Sequence, residues 1–158
     1  MLPFYDMRRL AGEIAQADCL TNGRGVNVMT TPLRDPLSAV VMQTESFFKA
    51  GPSASQRFAM LRIGYVSESR MDVEDKLGLA LENHRRFMNV YTTPGSVSDG
   101  AIVPMEVEET IEDIRENLLI GTPDEVIEKL RIYADLGMHE IQFNMNFGAK
   151  HEEVLQAQ

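Results

Sequence analysis

Apolar positions along the chain recur with two alternating periods, one helical and one of two residues, as in a strand. The clearest case runs over residues 120–146, IGTPDEVIEKLRIYADLGMHEIQFNMN. Val126, Ile127, Leu130, Tyr133 and Ala134 keep helical spacing. From Met138 the pattern changes to alternation, with Ile141, Phe143, Met145 and Phe147 set against Glu140, Gln142, Asn144 and Asn146. The boundaries carry their own signals. Thr122 suits an N-cap, and Pro123 stands at the first helical position, where its missing N–H costs nothing. Asp124 and Glu125 place negative charge at the positive end of the helix, and Glu125 completes a T-x-x-E capping box. Gly137 ends the helix. A short helix-to-strand join of this kind belongs to a parallel sheet built from repeating βα units.

Other stretches extend the alternation. Residues 7–20 predict a helix with Met7, Leu10, Ala11, Ile14 and Ala17 on one stripe, Asp6 as N-cap and Thr21-Asn22-Gly23 as exit. Residues 25–31, GVNVMTT, predict a short strand, and Pro32 and Pro36 bracket the loop behind it. Residues 37–50 predict a helix with Leu37, Val40, Val41, Thr44 and Phe48 inward, broken by Gly51-Pro52-Ser53. Residues 58–66, FAMLRIGYV, are almost continuously apolar, as in a strand covered by helices on both faces. Residues 71–91 predict the longest helix, with a stripe of Val73, Leu77, Ala80, Leu81, His84, Met88 and Tyr91. Residues 92–104 are rich in Gly, Ser, Thr and Pro and read as a mobile loop. Residues 107–118 predict another helix, 118–120 a weak strand, and 150–158 the start of a last helix. The class is therefore α/β with parallel strands. A closed (β/α)8 barrel takes eight strands and about 250 residues. The 158 residues here carry three clear strands and a weak fourth. They are too few for a closed barrel and are organised as a single domain over residues 1–158.

Composition narrows the setting. A chain of 158 residues can bury a real core. The net charge of −9 argues against nucleic acid or anionic membrane as a partner, and the pairs Arg8-Arg9 and Arg85-Arg86 are too small to reverse it. No apolar run approaches the ~20 residues of a transmembrane helix. Residues 1–6 lack the basic and apolar regions of a signal peptide. Cys19 is the single cysteine, so no internal disulfide forms, and the expectation is a cytoplasmic protein. Ten methionines and no tryptophan read first as filler of irregular core gaps, with ligand contact as the alternative.

GTPDEVIEKLRIYADLGMHEIQF resembles the last barrel unit of the luciferase-like flavin-dependent monooxygenases, where a G-[ST]-P-[DE]-x-V helix leads into a G-[VM]-x-E-[IF] strand. PFYDMRRLAGEIAQADCLTNGR is similar to the helix before that family's fourth strand, with its L-R-L-A-E-E-x-A…D-x-L-S-x-G-R pattern. GVNVMTTPLRDP is similar to a later strand and its loop. These segments mark the scaffold rather than the chemistry. The resemblance implies a partial or incomplete (β/α)8 TIM barrel, the C-terminal part of a luciferase-like one. It implies reduced FMN as cofactor, or in some branches the deazaflavin F420, and oxygenation of a small organic substrate by O2. A flavin reductase or another source would supply the reduced flavin. The family's base and much of its phosphate site lie in segments without counterpart here, so no catalytic residue is carried over. At Gly23-Arg24-Gly25 the helix-exit motif runs at once into a segment that the family places much further along. Either the chain carries a deletion there, natural or engineered, or its numbering runs through an omitted segment.

Ligands of parallel sheets lie at the carboxyl ends of the strands, which marks four places. Asn27, Thr30 and Thr31 offer amide and hydroxyl groups, and Met29 a soft apolar surface, a set suited to the polar edge and the faces of a flavin ring. The plainer reading is a strand-ending turn. In Ser67-Glu68-Ser69, Ser69 reads as the cap of the next helix. Asn144, Phe147 and Gly148 follow the last strand, as cofactor contacts and pocket wall or as purely structural residues. Residues 92–104 are either a lid or a plain connection. His84 lies on an apolar stripe and reads as packed; His139 starts the last strand, at the stability end of a barrel; His151 lies near a helix start. No two share ligand spacing, so no metal is expected. G-x-S-x-G, G-x-G-x-x-G and the P-loop are absent. Cys19 reads as packed on its helix. The acidic run at 106–116 reads as a solvated face or, failing that, a docking face. The expected function is a flavin-dependent monooxygenase. The alternative is a non-catalytic flavin-binding or subunit-association module derived from that barrel, whose unpaired sheet edges predict a homo-oligomer.

Overall fold

β1, Ala59–Val66, stands at the centre of the sheet. Its side chains alternate between two apolar cores, which is why its sequence is apolar almost throughout: Ile63 and Tyr65 face one helical layer and Met60 the other. The computed structural model describes residues 37–52, 57–92 and 95–157, together with 12–13, 15–16 and 19–20. In chain order the described elements are α1 (Leu37–Lys49), β1, α2 (Arg70–Thr92), the short β2 (Val97–Ser98) and β3 (Ala101–Ile102), α3 (Ile111–Asn117), β4 (Leu119–Gly121), α4 (Pro123–Asp135), β5 (Glu140–Asn144) and α5 (His151–Gln156). The strand predicted at 25–31 and the join at 23–25 lie outside the described residues. Of the helix predicted at 7–20, the described residues are helical and all exposed. Cys19 is among them, so it is exposed rather than packed, because nothing described covers that stretch.

β1 pairs in parallel with β4, Tyr65 beside Ile120, and with β5, Leu61 beside Gln142. The order is β4-β1-β5. α2 and α3 cover one face, with Val73, Leu77, Leu81 and Ile114 packed on Ile63, Tyr65 and Ile120. α1 and α4 cover the other, with Val40, Leu130 and Tyr133 packed on Met60 and Leu119. Among the described residues the fold is thus mixed α/β, a parallel three-stranded sheet between two helical layers. A barrel wall pairs consecutive strands and carries its helices on one side. Here β1 separates β4 from β5 and helices lie on both faces, the layout of a doubly wound sheet. The described residues show the parallel α/β sheet and not a full barrel. α4 packs on the face opposite α2, and β5 lies on the side of β1 away from β4.

Local signals set the boundaries. At α3, Asp113 N–H donates to Thr110 Oγ1 at 3.2 Å and Thr110 N–H to Asp113 Oδ2 at 2.8 Å, so the helix starts after Thr110 instead of at 107. At α4, Thr122 N–H donates to Glu125 Oε2 at 2.8 Å. Gly137 follows α4 at φ +82°, and the Phe48 ring lies 3.0 Å from where a Cβ would stand, so only glycine fits. Ile127 and Ala134, on the predicted α4 stripe, are exposed. Phe48 of α1 is also largely exposed; Phe47 turns inward instead, its ring 5.2 Å from that of Phe58. Residues 97–102 form a hairpin. Asp99 (φ +51°) and Gly100 (φ +78°) fill the two left-handed positions of its tight turn.

Candidate functional site

The carboxyl ends of β1 and β4 meet at a cleft. Ser67 N–H donates to Gly121 O at 3.2 Å and ties the two strand ends together. Beyond them Tyr65, Ser67, Glu68, Asp72, Pro123 and Ala157 line an open space of about 400 Å³, within the range of small-molecule sites. Each wall is placed by a described element. β1 delivers Tyr65. Ser69 accepts from Asp72 N–H at 3.4 Å and so heads α2, which puts Asp72 in the first turn. Pro123 heads α4, and Ala157 follows α5.

Beneath the cleft lies an ion cluster around a buried lysine. Lys76 is 1 % exposed. Its Nζ is 3.0 Å from Asp72 Oδ1, 3.1 Å from Asp75 Oδ2 and 3.2 Å from Glu153 Oε2, and 5.5 Å from the centre of the Tyr65 ring. Burial opposes the Lys76 charge, but hydrogen bonds to the three carboxylates outweigh it and hold the ammonium above its usual range. Burial pushes the Asp72 carboxyl up, yet hydrogen bonds from Ser67 and Lys76 outweigh that and leave it below its usual range. Burial and then the Asp72 charge push the Tyr65 phenol up. At neutral pH the cluster is therefore a charged amine, an ionised carboxylate and a neutral phenol. None of the three changes protonation near pH 7, where general acid–base catalysis works best. The cluster shapes the cleft and is no proton relay.

Charge also limits what the cleft accepts. Glu68 and Asp72 line the cleft, and the Lys76 ammonium beneath it is already held by Asp72, Asp75 and Glu153. A helix N-terminus in a parallel sheet commonly receives phosphate. Here Pro123 has no N–H to offer, and Thr122 N–H is taken by Glu125. The described cleft admits an aromatic ring system by size, while its carboxylates and the blocked head of α4 disfavour the phosphate of FMN.

The predicted site residues separate. Asn27, Met29, Thr30 and Thr31 lie outside the described residues. Asn144 ends β5 and turns back on the chain, its Oδ1 accepting from Asn146 N–H at 2.9 Å. Phe147 is 1 % exposed and meets Tyr65 edge to face, ring centres 6.2 Å apart. It packs in the core on the α2 side, beneath the cleft, although Ile141 and Phe143, its partners in the alternation, pack on the α4 side; the chain bends after β5 and breaks the alternation. Ser69 caps α2 as read. Of the segment 92–104, the described residues 95–104 sit at the other end of α2. α2 starts at the cleft and runs about 34 Å away from it at 1.5 Å per residue, and the hairpin follows its far end. There Asn89 Nδ2 donates to Val103 O at 2.6 Å and Asn89 Oδ1 accepts from Ser96 N–H at 3.1 Å, so this segment is a pinned hairpin and no lid for the cleft.

His84 is buried, with Nε2 3.4 Å from Glu109 Oε2. His139 continues the β1–β5 ladder: its Nδ1 accepts from Phe58 N–H and its N–H donates to Phe58 O, both at 3.0 Å. His151 is exposed. Among the described residues no group of three His, Cys, Asp or Glu is placed to hold a metal ion, and no helix is long and apolar enough to cross a membrane.

The sequence reading does not single out Tyr65, Asp72, Lys76 or Glu153. Part of the signal is present: Lys76 falls three residues after Val73, on the buried stripe of α2, with Asp72 one turn before it. Glu153 comes from α5, and no local pattern links it to the others. No protein-family model matches the chain, and no curated protein matches it significantly.

Proposed function

We propose that the protein is a small-molecule-binding α/β protein of the flavin-dependent monooxygenase kind, with its ligand at the carboxyl ends of β1 and β4. One observation carries the reading: Pro123, inside the 120–146 unit that resembles the luciferase-like enzymes, walls a cleft of about 400 Å³ at the end of β1, where parallel sheets hold their ligands. The reading does not depend on barrel closure, since doubly wound sheets use the same end. A bound flavin, FMN or alternatively F420, would supply the oxygen chemistry for a small organic substrate after reduction by a flavin reductase or another donor. The protein's share is orientation and a shielded pocket. The acidic lining of the described cleft and the blocked head of α4 disfavour the FMN phosphate there; Asn27, Thr30 and Thr31 carry suitable donors.

Titration of the purified protein with oxidised FMN by fluorescence, and with reduced FMN by calorimetry, tests the proposal. Saturable binding supports it. No binding up to about 1 mM, a free energy of only about −4 kcal/mol, overturns it. A second reading, a non-catalytic association module, draws support from the acidic lining of the cleft and from the free edges of β4 and β5 among the described residues. It expects a dimer without flavin affinity; a monomer by sedimentation removes it.

A further inference from the structure

We propose that α5 is a hinged strap over the cleft, held closed by the Glu153–Lys76 ion pair and released by local unfolding. The pivot is Gly148. It lies between buried Phe147 and α5 at φ +109°, with nothing within 4 Å of where a Cβ would stand. Glycine is there for its backbone conformation, not for lack of room. Apolar contact holds the strap weakly: its anchors on the core are Ala149 and Ala157, both small, while Leu155 is 56 % exposed. A helix of six residues does not persist alone in water.

Glu153 links folding of the strap to its docking. Its Oε2 accepts from Lys150 N–H at 3.0 Å, closing the first turn of α5, and the same oxygen lies 3.2 Å from Lys76 Nζ. Release leaves no stranded charge, because Lys76 keeps Asp72 and Asp75 on its own helix. Ala157 lines the cleft, so release of α5 widens it from that side. The purpose of the movement rests on the cleft being the ligand site; the movement itself does not.

Amide hydrogen exchange on the full chain, read by mass spectrometry without flavin, tests the strap. Glu153→Gln keeps an acceptor for Lys150 but removes the ion pair, and should speed exchange over residues 149–157 by roughly fivefold while leaving β1 and α2 unchanged. Lys76→Gln should speed the same peptide, and Asp75→Asn, which removes a partner on α2 itself, should not. Unchanged exchange over 149–157 in Glu153→Gln overturns the strap. So does acceleration of β1 together with α5, since α5 would then be an integral part of the core. Loss of FMN binding would leave this result untouched, so the two proposals fail separately.

Discussion

At the scale of single residues, the sheet turns on Gly64. A Cβ there would stand 2.6 Å from Cδ2 and 2.8 Å from Cγ of the Phe143 ring. The ring lies across β1 because β1 and β5 pair in parallel with Arg62 beside Phe143. Gly64→Ala should lower stability by about 1–3 kcal/mol, read as a lower urea midpoint at constant slope. Adding Phe143→Leu should recover part of the loss; strict additivity of the two would disprove the clash. Position 64 reads only as a gap in an apolar strand, and its role depends on which strand lies alongside. Lys76 teaches the same lesson from the other direction. Its position on the buried stripe of α2 is legible, but its third carboxylate arrives from a helix more than seventy residues later in the chain. Phe147, which the sequence leaves open between a pocket wall and a structural place, packs with Tyr65 on the α2 face, because the alternation of β5 does not carry past the bend that follows it.

At the scale of elements, caps and stops were legible and partners were not. The T-x-x-E box, Pro123 and Gly137 bound α4 as the local chemistry demands. Residues 92–104 were misread as a mobile loop because Gly, Ser and Pro dominate them, although Asp99-Gly100 between Val97-Ser98 and Ala101-Ile102 is a hairpin signal. Asn89, 4 % exposed, holds that hairpin on α2. Asn89→Ala should cost about 1–2 kcal/mol, because it leaves the half-buried Val103 carbonyl and the Ser96 amide without their partner. It should also speed amide exchange over 96–103 more than over α3. Equal acceleration everywhere would mean that the hairpin has no separate stability.

At the scale of the whole molecule, acid should destabilise the fold. Four carboxyls sit below their ordinary range. Backbone N–H donation lowers Asp113, Glu125 and Glu153, and hydrogen bonds from Ser67 and Lys76 outweigh burial at Asp72. Below the ordinary values of 3.8 for Asp and 4.5 for Glu, the unfolded chain takes up protons before the folded one does. Their contribution is thus complete above about pH 4.5 and is lost as pH falls through the native values. Discharging the net −9 works the other way, but at 0.15 M salt repulsion between exposed charges is screened beyond about 8 Å, whereas these hydrogen bonds are direct. The urea midpoint should be lower at pH 3 than at pH 6, and Asp113→Asn should flatten the dependence. An unchanged midpoint would contradict the assignment.

Sequence by itself determined the class and the pieces: parallel α/β from the change of period, β1 as a doubly covered strand from its unbroken apolar run, and the ends of α4 from a capping box, Pro123 and Gly137 along the chain. Those features depend on neighbours along the chain. Only the tertiary structure decided that β5 crosses to the far side of β1, that helices cover both faces of the sheet, and that Tyr65, Asp72, Lys76 and Glu153 meet beneath one cleft. An amphipathic helix carries the angle of its apolar stripe but not the identity of the sheet face that receives it.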